Sequence, residues 1–166
     1  INLLGLILDM LLKWFAPILS FTTEEIFQIL NKDQNLSIHL QTFPKIPKKW
    51  KNEKLYDKWE KFKLIKKVVN AAIEVKRSNK DIGSSLEADV EVFLNEDYLK
   101  IVKDFDLPES FITSKAQAEK MSNDKNLFKI DEVKNVGVLV KKADGEKCPR
   151  CWKIFPGPCQ RCKVKN

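Results

Sequence analysis

All four cysteines of this chain lie in its last nineteen residues, CPRCWKIFPGPCQRCKVKN, as Cys148-x2-Cys151-x7-Cys159-x2-Cys162. Two residues between cysteines let a tight turn aim both sulfurs at one centre. Two such turns joined by a short loop set four thiolates at the corners of a tetrahedron, the donor set of a closed structural zinc site with Zn–S bonds of about 2.3 Å. Pro149, Pro156, Gly157 and Pro158 supply the turns and keep helix out of the loop. So small a segment cannot fold on apolar burial, and binding the ion would supply its folding free energy, roughly 10–16 kcal/mol in zinc-finger peptides. Four thiolates leave no open coordination position, which argues against a catalytic zinc. Three other uses of the thiols stay open. Two disulfides need an oxidising compartment, which nothing in the sequence suggests. A redox pair needs a lowered thiol pKa and a strand–helix–strand unit, and no such pattern is read here. An iron–sulfur cluster takes the same ligands, usually at other spacings.

The cysteine segment is also basic. Lys147, Arg150, Lys153, Arg161, Lys163 and Lys165 surround the ligands, and Trp152 and Phe155 stand beside them. Cations with exposed aromatics on a small rigid platform suit single-stranded RNA, whose bases stack while its phosphates meet Lys and Arg. The plainer alternative is that Trp152 covers the metal site and the lysines are solvated.

The rest of the chain must position that platform. It has 166 residues, 43% hydrophobic, enough for one large domain or two small ones. The formal net charge of +7 favours polyanionic partners, although a bias of lysine over arginine also arises from genome base composition. The charge is unevenly spread. Residues 45–80 hold thirteen basic and four acidic residues, and 141–166 hold eight and two, so the remainder is acidic.

The opening INLLGLILDMLLKWFAPIL is strongly apolar, but Asp9 and Lys13 interrupt it and Pro17 ends it. It reads as the central helix of a bundle rather than a membrane span. It lacks an initiator methionine and starts inside a periodic pattern, which fits a piece of a longer protein. No secretory signal is recognisable, and a cytoplasmic location is expected. Thr22-Thr23-Glu24-Glu25 reads as a capping box, Thr22 at the N-cap and Glu25 at N3, opening a helix to about Leu30. His39, the only histidine, sits in SIHL, read as extended, with no partner for catalysis. From Trp50 to about Lys80 a long amphipathic helix is expected. Leu55, Trp59, Phe62, Ile65, Val69, Ala72, Ile73 and Lys76 recur at three- and four-residue steps as its core stripe, and Lys51, Lys54, Lys58, Lys61 and Lys67 form its basic face. That face is either solvated or laid along a phosphate backbone, with Lys58, Lys61 and Arg77 as candidate contacts. DIGSSLE reads as a polar turn, ADVEVFL as a strand, NEDYLKIVKDF as a helix, and SFIT and 126–142 as further strands. The expected fold class is α+β. A helical bundle spans 1–80, a small mixed unit 81–142, and the four-cysteine zinc knuckle 143–166.

Several stretches point together. LKWFAPILSFTTEEIFQIL and SIHLQTFP resemble the helical anticodon-binding domain of the class I aminoacyl-tRNA synthetases for isoleucine, valine and leucine. VKRSNKDIGSSLEADV looks like the segment that follows it in isoleucyl-tRNA synthetases. KADGEKCPRCW with the later CQRC looks like the C-terminal zinc knuckle of their bacterial type. The order matches over nearly the whole chain. One departure is the loop between the cysteine pairs, shorter than this family often shows. Lys120-Met121-Ser122 is similar to part of the ATP loop of class I synthetases, but it lacks the next lysine and follows no nucleotide-binding fold, so it reads as chance.

The resemblance implies a parent enzyme that activates isoleucine with ATP and Mg and transfers it to its tRNA. A separate domain would edit mischarged valine, because one methylene discriminates by only about 1–3 kcal/mol. Neither centre is present in this chain, so no catalytic residue is expected. The cysteines Cys148, Cys151, Cys159 and Cys162 carry over as ligands of one structural zinc. The expected partners are the anticodon arm of isoleucine tRNA and the rest of the synthetase, with no membrane and no DNA. Two rivals remain: a stand-alone RNA-binding module derived from a synthetase, and the tail of a zinc-knuckle DNA glycosylase. Against the latter stand the Trp after Cys151, the IGSSLEA segment and the missing N-terminal catalytic proline.

Overall fold

A computed structural model describes residues 3–31, 35–121, 126–159 and 161–162. They form two compact units, 1–52 and 53–166.

In the first unit, α1 (Leu3–Phe15) ends just before Pro17, which has no N–H to continue a helix. Asp9 and Lys13, the two charges that interrupt its apolar run, neutralise each other one turn apart at 2.7 Å. α2 (Ser20–Leu30) begins two residues before the expected capping box. The turn leaving α1 is closed by the Leu19 N–H donating to Phe15 O at 2.7 Å and runs straight into α2. Leu19 therefore stands at the N-cap with no side-chain cap, and Thr22 and Glu25 lie inside the helix. Glu24 does the polar work instead. Its Oε2 accepts from Ser37 Oγ and from the Ile38 N–H, both at 2.9 Å, and its pKa is lowered, first by the Gln28 amide. This fastens a 3-10 turn, Ile38–Leu40, beside α2, where an extended stretch was expected. His39 in that turn is exposed. Leu12, Ala16, Phe27 and Ile38 form the small core.

The second unit is built on a four-stranded mixed sheet in the order β2-β1-β4-β3. Its strands are β1 (Ala88–Leu94), β2 (Lys115–Lys120), β3 (Phe128–Ile130) and β4 (Val133–Lys142). β1 alternates buried and half-buried residues along its length, as its sequence requires of a strand with one covered face. Val90, Val92 and Leu94 pair with Val140, Val138 and Val136 of the antiparallel β4, so both strands face one core. The helix α3 (Glu53–Ser78) buries Phe62, Ile65, Val68, Val69, Ala72 and Ile73 in that same core. The long helix assigned to the helical part by its sequence is thus packed on the sheet. Between β1 and β2 run α4 (Glu96–Val102), capped by Asn95, and α5 (Leu107–Phe111), capped by Asp106. Phe62 stacks between Phe105 and Phe111, with ring centroids 4.1 and 5.7 Å away, and seals α3 against this crossover.

Two expectations fail here. SFIT is no strand: Ser110 and Phe111 end α5, and Ile112 takes a left-handed conformation, φ 58°, that stops it. The Asp106 cap and Pro108 in the first turn decide for helix. The parallel pairing of β1 with β2 also makes β1-α4-α5-β2 a strand–helix–strand unit, which the sequence was read as lacking. The cysteines lie outside it, so it gives the redox use of the thiols no support. Among the described residues no helix is long and apolar enough to cross a membrane.

Candidate metal centre and nucleic-acid interface

β4 delivers the chain to the cysteines. Two short strands, β5 (Glu146–Lys147) and β6 (Ile154–Phe155), pair antiparallel, and the first cysteine pair occupies the turn between them. That turn is closed by the Cys148 N–H donating to Lys153 O and the Trp152 N–H donating to Cys148 O, both at 2.9 Å. Gly145 opens the hairpin at φ +117°, where a Cβ would stand 2.0 Å from Phe155 O. Only glycine fits so close an approach in that conformation.

The hairpin and the following loop bring the four expected ligands together. The sulfurs of Cys148, Cys151, Cys159 and Cys162 all lie within 4.8 Å of one another, with Cys151 and Cys159 at 3.7 Å. A tetrahedral ion with Zn–S bonds near 2.3 Å separates its sulfurs by about 3.8 Å, so the donor set fits a metal ion. All four cysteines are free of disulfides. Cys148 and Cys159 are buried, Cys151 and Cys162 half-buried. Backbone N–H groups of Cys151 and Arg150 donate to Cys148 and lower its pKa to about 6. Cys162 is pushed up to about 12 by burial and by the three neighbouring sulfurs. Four converging sulfurs resist a common charge, and a bound dication removes the conflict.

The basic residues around this centre divide into two groups. Lys147 and Arg150 are exposed. Trp152 is 60% exposed, held in the left-handed region at φ 65°, with Lys147 Nζ 5.7 Å from its ring centroid. The indole therefore does not lie buried over the cysteines. Lys153 and Arg161 point elsewhere. Lys153 is 6% exposed, and its Nζ donates to Glu109 Oε1 at 2.5 Å; Arg161 Nη1 donates to the same oxygen at 2.7 Å. These two cations, Lys153 first, hold the Glu109 carboxyl below the usual range, so it stays charged until the pH falls further than an ordinary glutamate requires. Lys163 and Lys165 lie outside the described residues.

On α3 the basic face is largely engaged. Lys58 pairs with Asp104 and lies over the Phe105 ring, Lys67 pairs with Glu132, and Arg77 with Glu74 at 3.0 Å. Lys61 is exposed and has no ion-pair partner among the described residues. The sequence missed Glu109 and Ser114 altogether. Both lie far from the cysteines along the chain and carry no motif. Lys120 of the apparent ATP-loop tripeptide ends β2 and pairs with Glu96 at 2.9 Å, and Ser122 lies outside the described residues.

Comparison with known proteins bears on what this arrangement serves. Residues 1–92 match a family described as the anticodon-binding domain of tRNA ligase. Similar bacterial proteins are isoleucine–tRNA ligases. That of Pelagibacter ubique is 45% identical over 97% of this chain, and that of Bradyrhizobium diazoefficiens 40% over 91%. That of Natranaerobius thermophilus is 36% identical over 90%. The chain spans 17%, 15% and 17% of their respective lengths. The chain belongs to the family of anticodon-binding domains of tRNA ligases.

Proposed function

We propose that this chain is the tRNA-binding region of a cytoplasmic isoleucine–tRNA ligase, gripping the anticodon arm of isoleucine tRNA. The observation that carries the reading is the joint match. A family of anticodon-binding domains covers residues 1–92, and an isoleucine–tRNA ligase aligns over 97% of the chain. Aminoacylation with ATP and Mg belongs to other parts of that enzyme, and the role here is positional. Holding the anticodon arm sets the acceptor end at a distant catalytic centre. The helical RNA-facing part is proposed as 1–80, its long helix α3 shared with the sheet of the 81–142 junction on which it packs, and 143–166 is the knuckle.

Cys148, Cys151, Cys159 and Cys162 hold one zinc ion, which supplies the folding free energy of the knuckle and no chemistry. The exposed Trp152 offers a stacking face, and Lys147 and Arg150 beside it meet phosphates. On α3, Lys61 is free to do the same; Lys58 and Arg77 first release exposed carboxylates, at little cost. Lys153 and Arg161 serve the knuckle's own attachment.

Two measurements test this. The chain binds an isoleucine tRNA transcript more tightly than duplex DNA of equal charge at physiological salt; equal affinities remove the anticodon reading and favour a general polyanion binder. Metal analysis gives one zinc per chain, lost in Cys148→Ser/Cys159→Ser. Stoichiometric zinc in that double variant sinks the ligand assignment.

A further inference from the structure

The knuckle is joined to its unit by one crossing of the chain, at 143–145, and it carries almost no apolar anchor. Between residues 143 and 162 the only buried side chains described are Cys148, Lys153 and Cys159. On that crossing alone it could swing about Gly145. Two polar contacts prevent this, and both use residues to which the RNA reading gives no role. Glu109 Oε1, at the start of α5, accepts from Lys153 and from Arg161. These cations come from the two halves of the knuckle, one following Cys151 and one lying between Cys159 and Cys162. A single carboxylate thus ties both halves to α5. The second contact is Ser114, just before β2. Its Oγ accepts from the Ile154 N–H at 2.5 Å and donates to Leu86 O.

Leu86 belongs to the IGSSLEA segment, whose other contacts converge on the same place. Glu87 O accepts from the Ala143 N–H at 2.7 Å, where β4 hands the chain to the knuckle, and Ala88 O accepts from the Ser114 N–H at 3.2 Å. Glu87 Oε2 accepts from the Gly83 N–H at 2.9 Å and holds the turn in shape. The segment is therefore a seat on which the root of the knuckle and its second strand are both fastened.

We propose that Glu109 and Ser114 are positioning residues for RNA recognition, fixing the angle at which the metal-held knuckle presents Trp152, Lys147 and Arg150. The inference rests on the RNA-binding reading above. Lys153 makes Glu109 decisive: a cation 6% exposed that loses its carboxylate is left buried and unpaired, so the docked arrangement is disfavoured rather than merely loosened.

The test is a double-mutant cycle on the zinc-loaded chain, with an isoleucine tRNA transcript as probe. W152A weakens binding. E109Q weakens it by a substantial part of the same factor while one zinc per chain remains. E109Q/W152A loses less than the product of the two single losses, because part of the clamp's effect passes through the indole it presents. E109D restores at least half of the lost affinity, and E96Q, which breaks an exposed pair elsewhere, changes nothing. Amide exchange at Ile154 accelerates in E109Q while that of β1 is unchanged. Losses that multiply in the double variant, or zinc lost in E109Q, overturn the positioning role. E109Q binding like the parent while W152A is impaired overturns the clamp alone. W152A binding like the parent overturns the RNA reading of the knuckle and the clamp with it.

Discussion

At the scale of single residues, Trp152 carries the sharpest conflict between stability and function. Trp152 sits at φ 65°, in the left-handed region that glycine enters freely and L-residues other than asparagine and aspartate enter at a cost of about 1–2 kcal/mol. Little burial repays this: the side chain is 60% exposed, and the Lys147 ammonium beside its ring is a contact worth about 0.5–1 kcal/mol at an exposed site. A residue chosen for the turn alone would be glycine. Trp152→Gly is therefore expected to hold zinc at least as tightly as the parent, by competition with a chromophoric chelator. The same variant loses roughly 5- to 150-fold in affinity for isoleucine tRNA, the range of about 1–3 kcal/mol for one stacked base. A Trp152→Gly chain that loses zinc would make the indole a structural cover.

At the scale of elements, the hairpin of β5 and β6 decides whether the cysteines meet. Its tightest point is Gly145, where a Cβ would meet Phe155 backbone atoms at 2.0 and 2.2 Å. Backbone cannot yield as a side-chain tip can, so Gly145→Ala forces the strands apart and separates Cys148 from Cys159. The expected result is a chain with zinc affinity lowered at least tenfold while the sheet still melts as in the parent, read by metal competition and circular dichroism. Unchanged zinc affinity would show that the cysteine turns assemble without the hairpin. The same scale explains how much was legible in the sequence. β1 and α3 follow from their periodicity, because valines every second residue and apolar residues every third or fourth allow one buried face each. β2 escaped notice because its inward residues are only Ala116 and Ala118 among Lys, Gln and Glu, too small to mark a strand. The capping box misled because the turn after Pro17 started α2 before it. The metal ligands were legible because their spacing is local. The clamp was not, since Glu109 reaches Lys153 and Arg161 across 44 and 52 residues of chain.

At the scale of the whole molecule, the excess of basic residues overstates the charge available to an RNA. In the second unit Lys58, Lys63, Lys67, Lys76 and Arg77 each face a carboxylate, as do Lys153 and Arg161. Exposed pairs are weak and exchange readily for phosphate, but each exchange releases a carboxylate instead of a counterion and adds little to the salt dependence. The cations that gain most from a phosphate are those without a carboxylate among the described residues; Lys147, Arg150 and Lys61 are three of these. If these three carry the backbone contacts, the affinity for isoleucine tRNA falls with salt at a log–log slope of about −2, at −0.7 per phosphate for single strands. Lys147→Gln/Arg150→Gln then brings the slope to about −0.7. Trp152→Ala lowers the affinity at every salt concentration and leaves the slope alone, because stacking releases no ions. Titrations between low and physiological salt separate the two effects. A slope near −2 that survives Lys147→Gln/Arg150→Gln would place the phosphates on other cations, and would separate the knuckle's stacking role from any part in backbone binding.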